Sequence, residues 1–281
     1  VQLSIGQGFG RLVAHDPLAR SDRSTEGVHQ MRVAARRLRA HLGLLAPALK
    51  RAPSAELRSE LRWLGSLLGP VRDLDTVVPL LHEAIPDEGA SEAARAIDTA
   101  LEAERGTARA AMAAALMSKR YRHLLRSLAD AVIEPPTRKI ALVPARGIVH
   151  PELRSASRAL TDAVDDLGDT PSDQALHRVR ILAKRLRYGA ELAAEIDGPR
   201  AAELAERLAE AQDHLGDARD LVRALSIIDE VSQARPELSA PMGEMRAALK
   251  AQSGSHHDAW RAPFGACVEL LASLGWSRPG A

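Results

Sequence analysis

The sequence predicts an all-α fold of two helical-bundle halves, related by a pseudo-twofold axis and produced by internal duplication. Three observations carry that prediction. Apolar residues recur at spacings of three and four almost from end to end, alanine and leucine dominate the hydrophobic content, and one Arg-rich helical pattern occurs twice. The chain has 281 residues, 46% of them hydrophobic and 2% aromatic. That mixture favours closely packed helices over sheets.

In chain order, Val28, Met31, Ala35, Leu38, Leu42 and Leu45 mark the first strong helix. Breaks then fall at Pro47, Pro53, Gly69-Pro70, Pro86, Pro135-Pro136, Pro144, Pro171, Pro199, Gly216, Pro236, Pro241 and Pro263. Gly69 suits the position just past a helix end, and Pro70 the first turn of the next helix. The apolar run Ala108 to Met117 is too short for a bilayer and reads as one face of an Ala-rich helix. Asp197-Gly198-Pro199 reads as a turn. Roughly ten to twelve helices result. The least helical stretch, Pro135 to Arg146, reads as a linker, so the halves are expected at residues 1–140 and 141–281.

The duplication rests on two matches in the same order. HQMRVAARRLRAHL begins at His29 and HRVRILAKRLRYGAEL at His177. His29, Arg32, Arg36, Arg37 and Arg39 thus recur 148 positions later as His177, Arg180, Lys184, Arg185 and Arg187. LLGPVRD, Leu67 to Asp73, recurs as HLGDARD, His214 to Asp220, 147 positions later.

On a helical wheel, His29, Arg32, Arg36 and Arg39 fall within a stripe about 80° wide. Met31, Ala35, Leu38 and Leu42 fill the adjoining flank, and Arg37 stands apart. The second copy repeats the stripe with His177, Arg180, Lys184 and Arg187. Each stripe is about 15 Å long, and its charges repel one another along the helix. No acid lies between Gly27 and Ala55 or between Leu176 and Ala190. The counter-charge is therefore on another helix or on a ligand. A single basic run is usually a solvated face. A solvated face has no reason to keep one register of His and Arg twice, and arginine's planar fork suits phosphate oxygens. The net charge is only +1, so any anion affinity comes from arrangement rather than total.

His-x-x-Arg-x-x-x-(Arg/Lys)-(Arg/Lys)-x-Arg, twice, each followed by Leu-Gly-x-x-Arg-Asp, resembles the CHAD family, the conserved histidine α-helical domain. LGPVRDLD from Leu68 and SKRYRHLL from Ser118 look familial as well. The resemblance covers nearly the whole chain. It implies two helical halves around a basic central channel that holds inorganic polyphosphate, with no catalysis by the domain itself. It also implies a CYTH-type domain or a polyphosphate enzyme as partner, and a cytoplasmic location at polyphosphate granules. Lys184 departs from the pattern by replacing Arg, Tyr188 has only Ala40 as its register mate, and SKRYRHLL has no recognisable second copy.

Three readings stand for Arg72-Asp73 and Arg219-Asp220: direct phosphate ligation by Arg, an Asp that fixes a stripe Arg, or a structural ion pair at a helix start. Neighbouring cations should disfavour the charged form of His29 and His177 in an empty site, and phosphate should restore it. Two other functions compete. One is phosphoryl transfer through His29 or His177; the other is binding of nucleic-acid backbone, for which base-stacking aromatics are scarce. No cofactor motif occurs. His256-His257-Asp258 reads as no metal site, and Asp165-Asp166 and Asp87-Glu88 as solvated pairs. The single cysteine, Cys267, allows no intramolecular disulfide and fits a reducing compartment. No signal peptide is evident, and the Val1 start leaves room for an upstream domain.

Overall fold

The fold is that of a computed structural model, which describes residues 1–21, 25–86, 90–168, 171–256 and 260–277. Within helices, the side chains of residues 90–91, 173, 215–219 and 252–256 lie outside the described set. Ten α-helices and three 3-10 turns are present among the described residues. They are α1 Gln2–Arg20, α2 Thr25–Leu44, α3 Arg51–Glu83, α4 Ala90–Met117, α5 Lys119–Ile133, α6 Ala145–Asp165, α7 Asp173–Asp197, α8 Pro199–Ala234, α9 Ser239–His256 and α10 Arg261–Ser273. The all-α reading holds. The sets α1–α3 and α6–α8 repeat one order, each ending in its longest helix, of 33 and 36 residues.

Apolar spacing explains which face each helix buries. Met31, Ala35, Leu38 and Leu42 of α2 are fully buried, as are Leu186 and Ala190 of α7. They join one core with Leu61, Leu64 and Leu68 of α3 and Leu153 and Leu160 of α6, so that core draws on both sides of residue 140. A second core gathers the far ends of α3 and α8 with α4 and α9, around Leu81, Ile97, Ile228 and Met245. Close approach is set by small residues. At Gly27, an added Cβ would lie 2.5 Å from the Ala19 backbone nitrogen, so only glycine lets α2 start against α1.

Two of the expected breaks are not breaks. Helix α3 runs straight through Gly69-Pro70, and α8 runs through Gly216. Proline at 70 removes one backbone donor, but the apolar stripe Leu57, Leu61, Leu64, Leu68, Val71 and Leu74 is buried on both sides of it. Burial at about 1.5–3 kcal/mol per large side chain outweighs one lost hydrogen bond. Pro53, Pro241 and Pro263 lie within the first turns of α3, α9 and α10, where the missing donor costs nothing. The turn at Asp197-Gly198-Pro199 is present, with Gly198 at φ 77°. Its carboxylate accepts from Arg146 at 2.9 Å and is 2.8 Å from His150.

The expected linker, Pro135 to Arg146, has local structure of its own. Residues Lys139–Leu142 form a 3-10 turn. The segment docks on the α2–α3 junction, with Lys50 N donating to Pro136 O at 2.7 Å and Arg138 N to Ala48 O at 2.8 Å.

Candidate functional site

Helices α2 and α3 pack antiparallel, and two glycines fix their register. A Cβ at Gly69 would lie 2.8 Å from the Arg32 guanidinium, and one at Gly43 would lie 3.8 Å from that of Arg58. Stepping between those points places His29 opposite Arg72, Arg36 opposite Gly65 and Arg39 opposite Arg62. The absence of a side chain at Gly69 is what lets Arg32 lie across α3.

The first stripe meets the second across a groove of about 250 Å³ between α2, α3, α7 and α8. Its cations are Arg32, Arg36, Arg72, Arg180, Lys184 and Arg187, against the carboxylates Asp73, Asp213 and Asp220, so six positive groups face three negative ones. His29, Val33, Thr76 and Gln212 complete the wall. An excess of cations in a partly desolvated groove focuses a positive field outward.

Part of the missing counter-charge is on another helix, and part, against expectation, is on α7 itself, one turn past the stripe. Arg32 pairs with Asp73 at 3.6 Å, the geometry expected of an Asp that fixes a stripe Arg. Arg187 donates to Glu191 at 3.2 Å and to Gln212 Oε1 at 3.4 Å. Glu191 sits one residue beyond the acid-free stretch of α7. The Arg36 and Arg187 guanidiniums, one from each half, lie 5.6 and 5.5 Å from the ring centre of Tyr188, which is 2% exposed. A buried ring between two cations holds both in place. Among the described residues the Tyr188 hydroxyl finds no hydrogen-bond partner.

Burial lowers the His29 imidazole below its ordinary pKa, and the guanidiniums of Arg72, Arg36 and Arg32 push the same way against Glu26. An anion in the groove would reverse those cationic contributions.

Other sequence-marked residues go elsewhere. His177 is exposed and lines a separate cleft of about 530 Å³ with Asp166, Leu167 and Ile181. It sits near the start of α7, where that helix faces the end of α6. Arg37 pairs with Glu191 and lines a cavity of about 360 Å³ with Ser4, His41 and Arg187. Arg185 is 51% exposed and pairs with Glu152 at 3.5 Å. Arg39 does not line the groove; burial lowers its pKa, as do Arg62, Arg36 and Arg58. Asp165 and Asp166 are exposed. The Arg219 side chain, Asp87-Glu88 and the side chains of His256-His257-Asp258 lie outside the described residues. Among the described residues, no group of three or more His, Cys, Asp and Glu could hold a metal ion. Nor, among the described residues, is any helix long and apolar enough to cross a membrane.

Sequence reasoning missed Thr76, Gln212, Asp213, Arg58 and Arg62. The two arginines had a signal: Arg58, Arg62, Gly65, Gly69, Arg72 and Thr76 share one stripe of α3 at steps of three and four. Reading Gly69-Pro70 as a helix end cut that stripe in two.

Comparison with known proteins agrees with this architecture. The model of the CHAD domain family matches residues 4–229. Two uncharacterized proteins of Mycobacterium tuberculosis, from strains CDC 1551 and H37Rv, are each 30% identical over 206 residues, 68% of this chain. The match spans 38% of the length of those curated relatives. The crystal structure of the CHAD domain from the plant Ricinus communis superposes with a TM-score of 0.74 at 26% identity, covering 94% of this chain and 90% of that one. PptA from Streptomyces chartreusis shares the fold, with a TM-score of 0.77 at 22% identity over 93% of this chain and 96% of that one.

Proposed function

This chain belongs to the CHAD domain family, and from that premise we propose that it binds inorganic polyphosphate in the groove between α2, α3, α7 and α8. The observation that carries the reading is the convergence of both Arg-rich stripes on one groove with six cations and three carboxylates. Polyphosphate is a flexible chain of negative charge without bases, so cations in a groove of matching width suffice to hold it. Arg32, Arg36, Arg180, Lys184 and Arg187 supply the cations from the duplicated helices and Arg72 supplies one from α3. Asp73 holds Arg32, and Tyr188 holds Arg36 and Arg187. His29 adds a proton when the anion arrives. Arg39 extends the basic surface, and Arg219 is proposed as the second-half counterpart of Arg72, beside Asp220. Arg37 and Arg185, each paired with a glutamate, serve structure first, and His177 lies apart from the bound chain.

The domain acts as a non-catalytic holder that docks on polyphosphate granules in the cytoplasm or presents polyphosphate to a fused CYTH-type domain or a separate enzyme. Phosphoryl transfer finds less support: His177, the register copy of His29, lines a different cleft, so the two histidines share no site. Nucleic acid fares no better: among the described residues no Phe, Tyr or Trp lines the groove, and Tyr188, which Arg36 and Arg187 cover, is 2% exposed. The test is calorimetric titration of polyphosphate into the wild type and into Arg36→Ala with Lys184→Ala. The reading expects the paired variant to lose at least about tenfold in affinity. Unchanged affinity would remove the groove from the account.

A further inference from the structure

The groove does not end symmetrically. At the register positions of Gly43, Arg58 and Arg62, the second half carries Glu191, Ala205 and Ala209. There Glu191 pairs with both Arg187 and Arg37, and Glu195 and Glu206 line the same cavity. That cavity sets three glutamates against Arg11, Arg37 and Arg187, so it carries no excess of cations.

The first-half end is the opposite. Arg58 and Arg62 of α3 stand against Arg39 and Gly43 of α2, with the Arg58 guanidinium 3.8 Å from a Cβ built at Gly43. Among the described residues, none of Arg39, Arg58 and Arg62 has an ion-pair partner, whereas Arg120 on neighbouring α5 takes Glu60 at 2.6 Å. The Arg58 Nε is buried and has no hydrogen-bond partner. Mutual repulsion among these cations shows in Arg39, whose charged form is disfavoured by burial and by Arg62, Arg36 and Arg58. Three unneutralised guanidiniums cost stability in the empty protein. They lie on the same α2–α3 seam as the groove, about 15 Å along α2 from His29.

We propose that Arg39, Arg58 and Arg62 form a second phosphate subsite, over which a long polyphosphate leaves the groove in one direction, toward the first half. This rests on the groove binding polyphosphate at all. The chain therefore lies with one defined exit, and affinity rises with chain length until the seam is covered. A short oligophosphate fills the groove and never reaches Arg58. At the Glu191 end the arginines are matched by glutamates, so a longer chain gains nothing there and extends the other way.

The experiment compares tripolyphosphate with a long-chain polyphosphate, using the wild type, Arg58→Gln with Arg62→Gln, and the groove variant Arg36→Ala with Lys184→Ala. Arg62 is exposed and Arg58 half-buried, and circular dichroism checks that each variant folds. The seam variant is expected to bind tripolyphosphate within about twofold of wild type. It should bind the long chain about tenfold more weakly, with the slope of log affinity against log salt reduced by about two. The groove variant should lose both ligands. If the seam variant weakens both lengths equally, or neither, the second subsite is overturned while the groove stands. If the groove variant binds as the wild type does, the groove reading fails first and the subsite falls with it.

Discussion

Gly69→Ala separates the shape of the groove from its charge. The new Cβ would sit 2.8 Å from Arg32 Nη1, closer than side-chain carbons approach one another in folded proteins. The flexible guanidinium, not the backbone, must yield, and it leaves the position where Asp73 holds it at 3.6 Å. No charge is added or removed. The affinity loss is that of one charge-assisted hydrogen bond to phosphate, about 1.5–3 kcal/mol, or tenfold and more. Stability should scarcely move. Alanine gains about 1 kcal/mol over glycine in a helix, and the following Pro70 opposes that gain by crowding any Cβ before it. The assay is paired: isothermal titration with polyphosphate, and urea denaturation of the unliganded protein. Wild-type affinity with unchanged stability would refute the idea that Arg32 must lie over a bare stretch of α3. A large loss of stability would mean that the residue serves packing rather than the groove.

Three further outcomes follow from the same structure. Because the unliganded His29 pKa is depressed by burial and by Arg72, Arg36 and Arg32, anion binding takes up a proton. Affinity should rise as pH falls from 8 to 5.5 at fixed salt, by no more than about tenfold per pH unit, and His29→Gln should flatten the curve. His41, 9% exposed with its Nδ1 2.9 Å from Ser4 Oγ, has its pKa lowered by burial from 6.5 to about 4. A folded pKa below the unfolded one means that the unfolded chain takes the proton first. Stability should therefore fall as pH drops from 6.5 to 4, by up to about 3 kcal/mol, and His41→Gln should lose less over that window in urea titrations. At Tyr188, Phe should keep polyphosphate affinity within about twofold, since only an unpartnered hydroxyl goes. Leu should weaken it about fivefold by loosening Arg36 and Arg187, as read by titration well below the melting temperature.

The sequence made much of this visible because its signals were periodic. The apolar flank Met31, Ala35, Leu38 and Leu42 is fully buried as expected, and the polar stripe beside it was legible as a surface with a purpose. Convergence of Arg32, Arg36, Arg180 and Lys184 on one groove depends on how α2 crosses α7, which repetition suggests and does not fix. His177 shows the gap: its wheel position matches that of His29, yet tertiary packing puts it in another cleft. Arg37 and Arg187 appeared unneutralised because their common partner, Glu191, lies just past the acid-free stretch that ends at Ala190. Arg58 and Arg62 were hidden by Gly69-Pro70, a local breaker overridden by a long buried stripe. Local chemistry marks where a helix can end, and burial decides whether it does.

The most direct measurement of the central claim is the affinity of the wild-type protein for polyphosphate and for length-matched duplex DNA across a series of salt concentrations. The account predicts tight binding to polyphosphate that falls steeply with salt, by orders of magnitude where about six phosphates are contacted, and far weaker binding to DNA. Equal binding to both polymers would mean a generic basic surface, and binding to neither would leave the paired Arg-rich helices without a ligand and contradict the account.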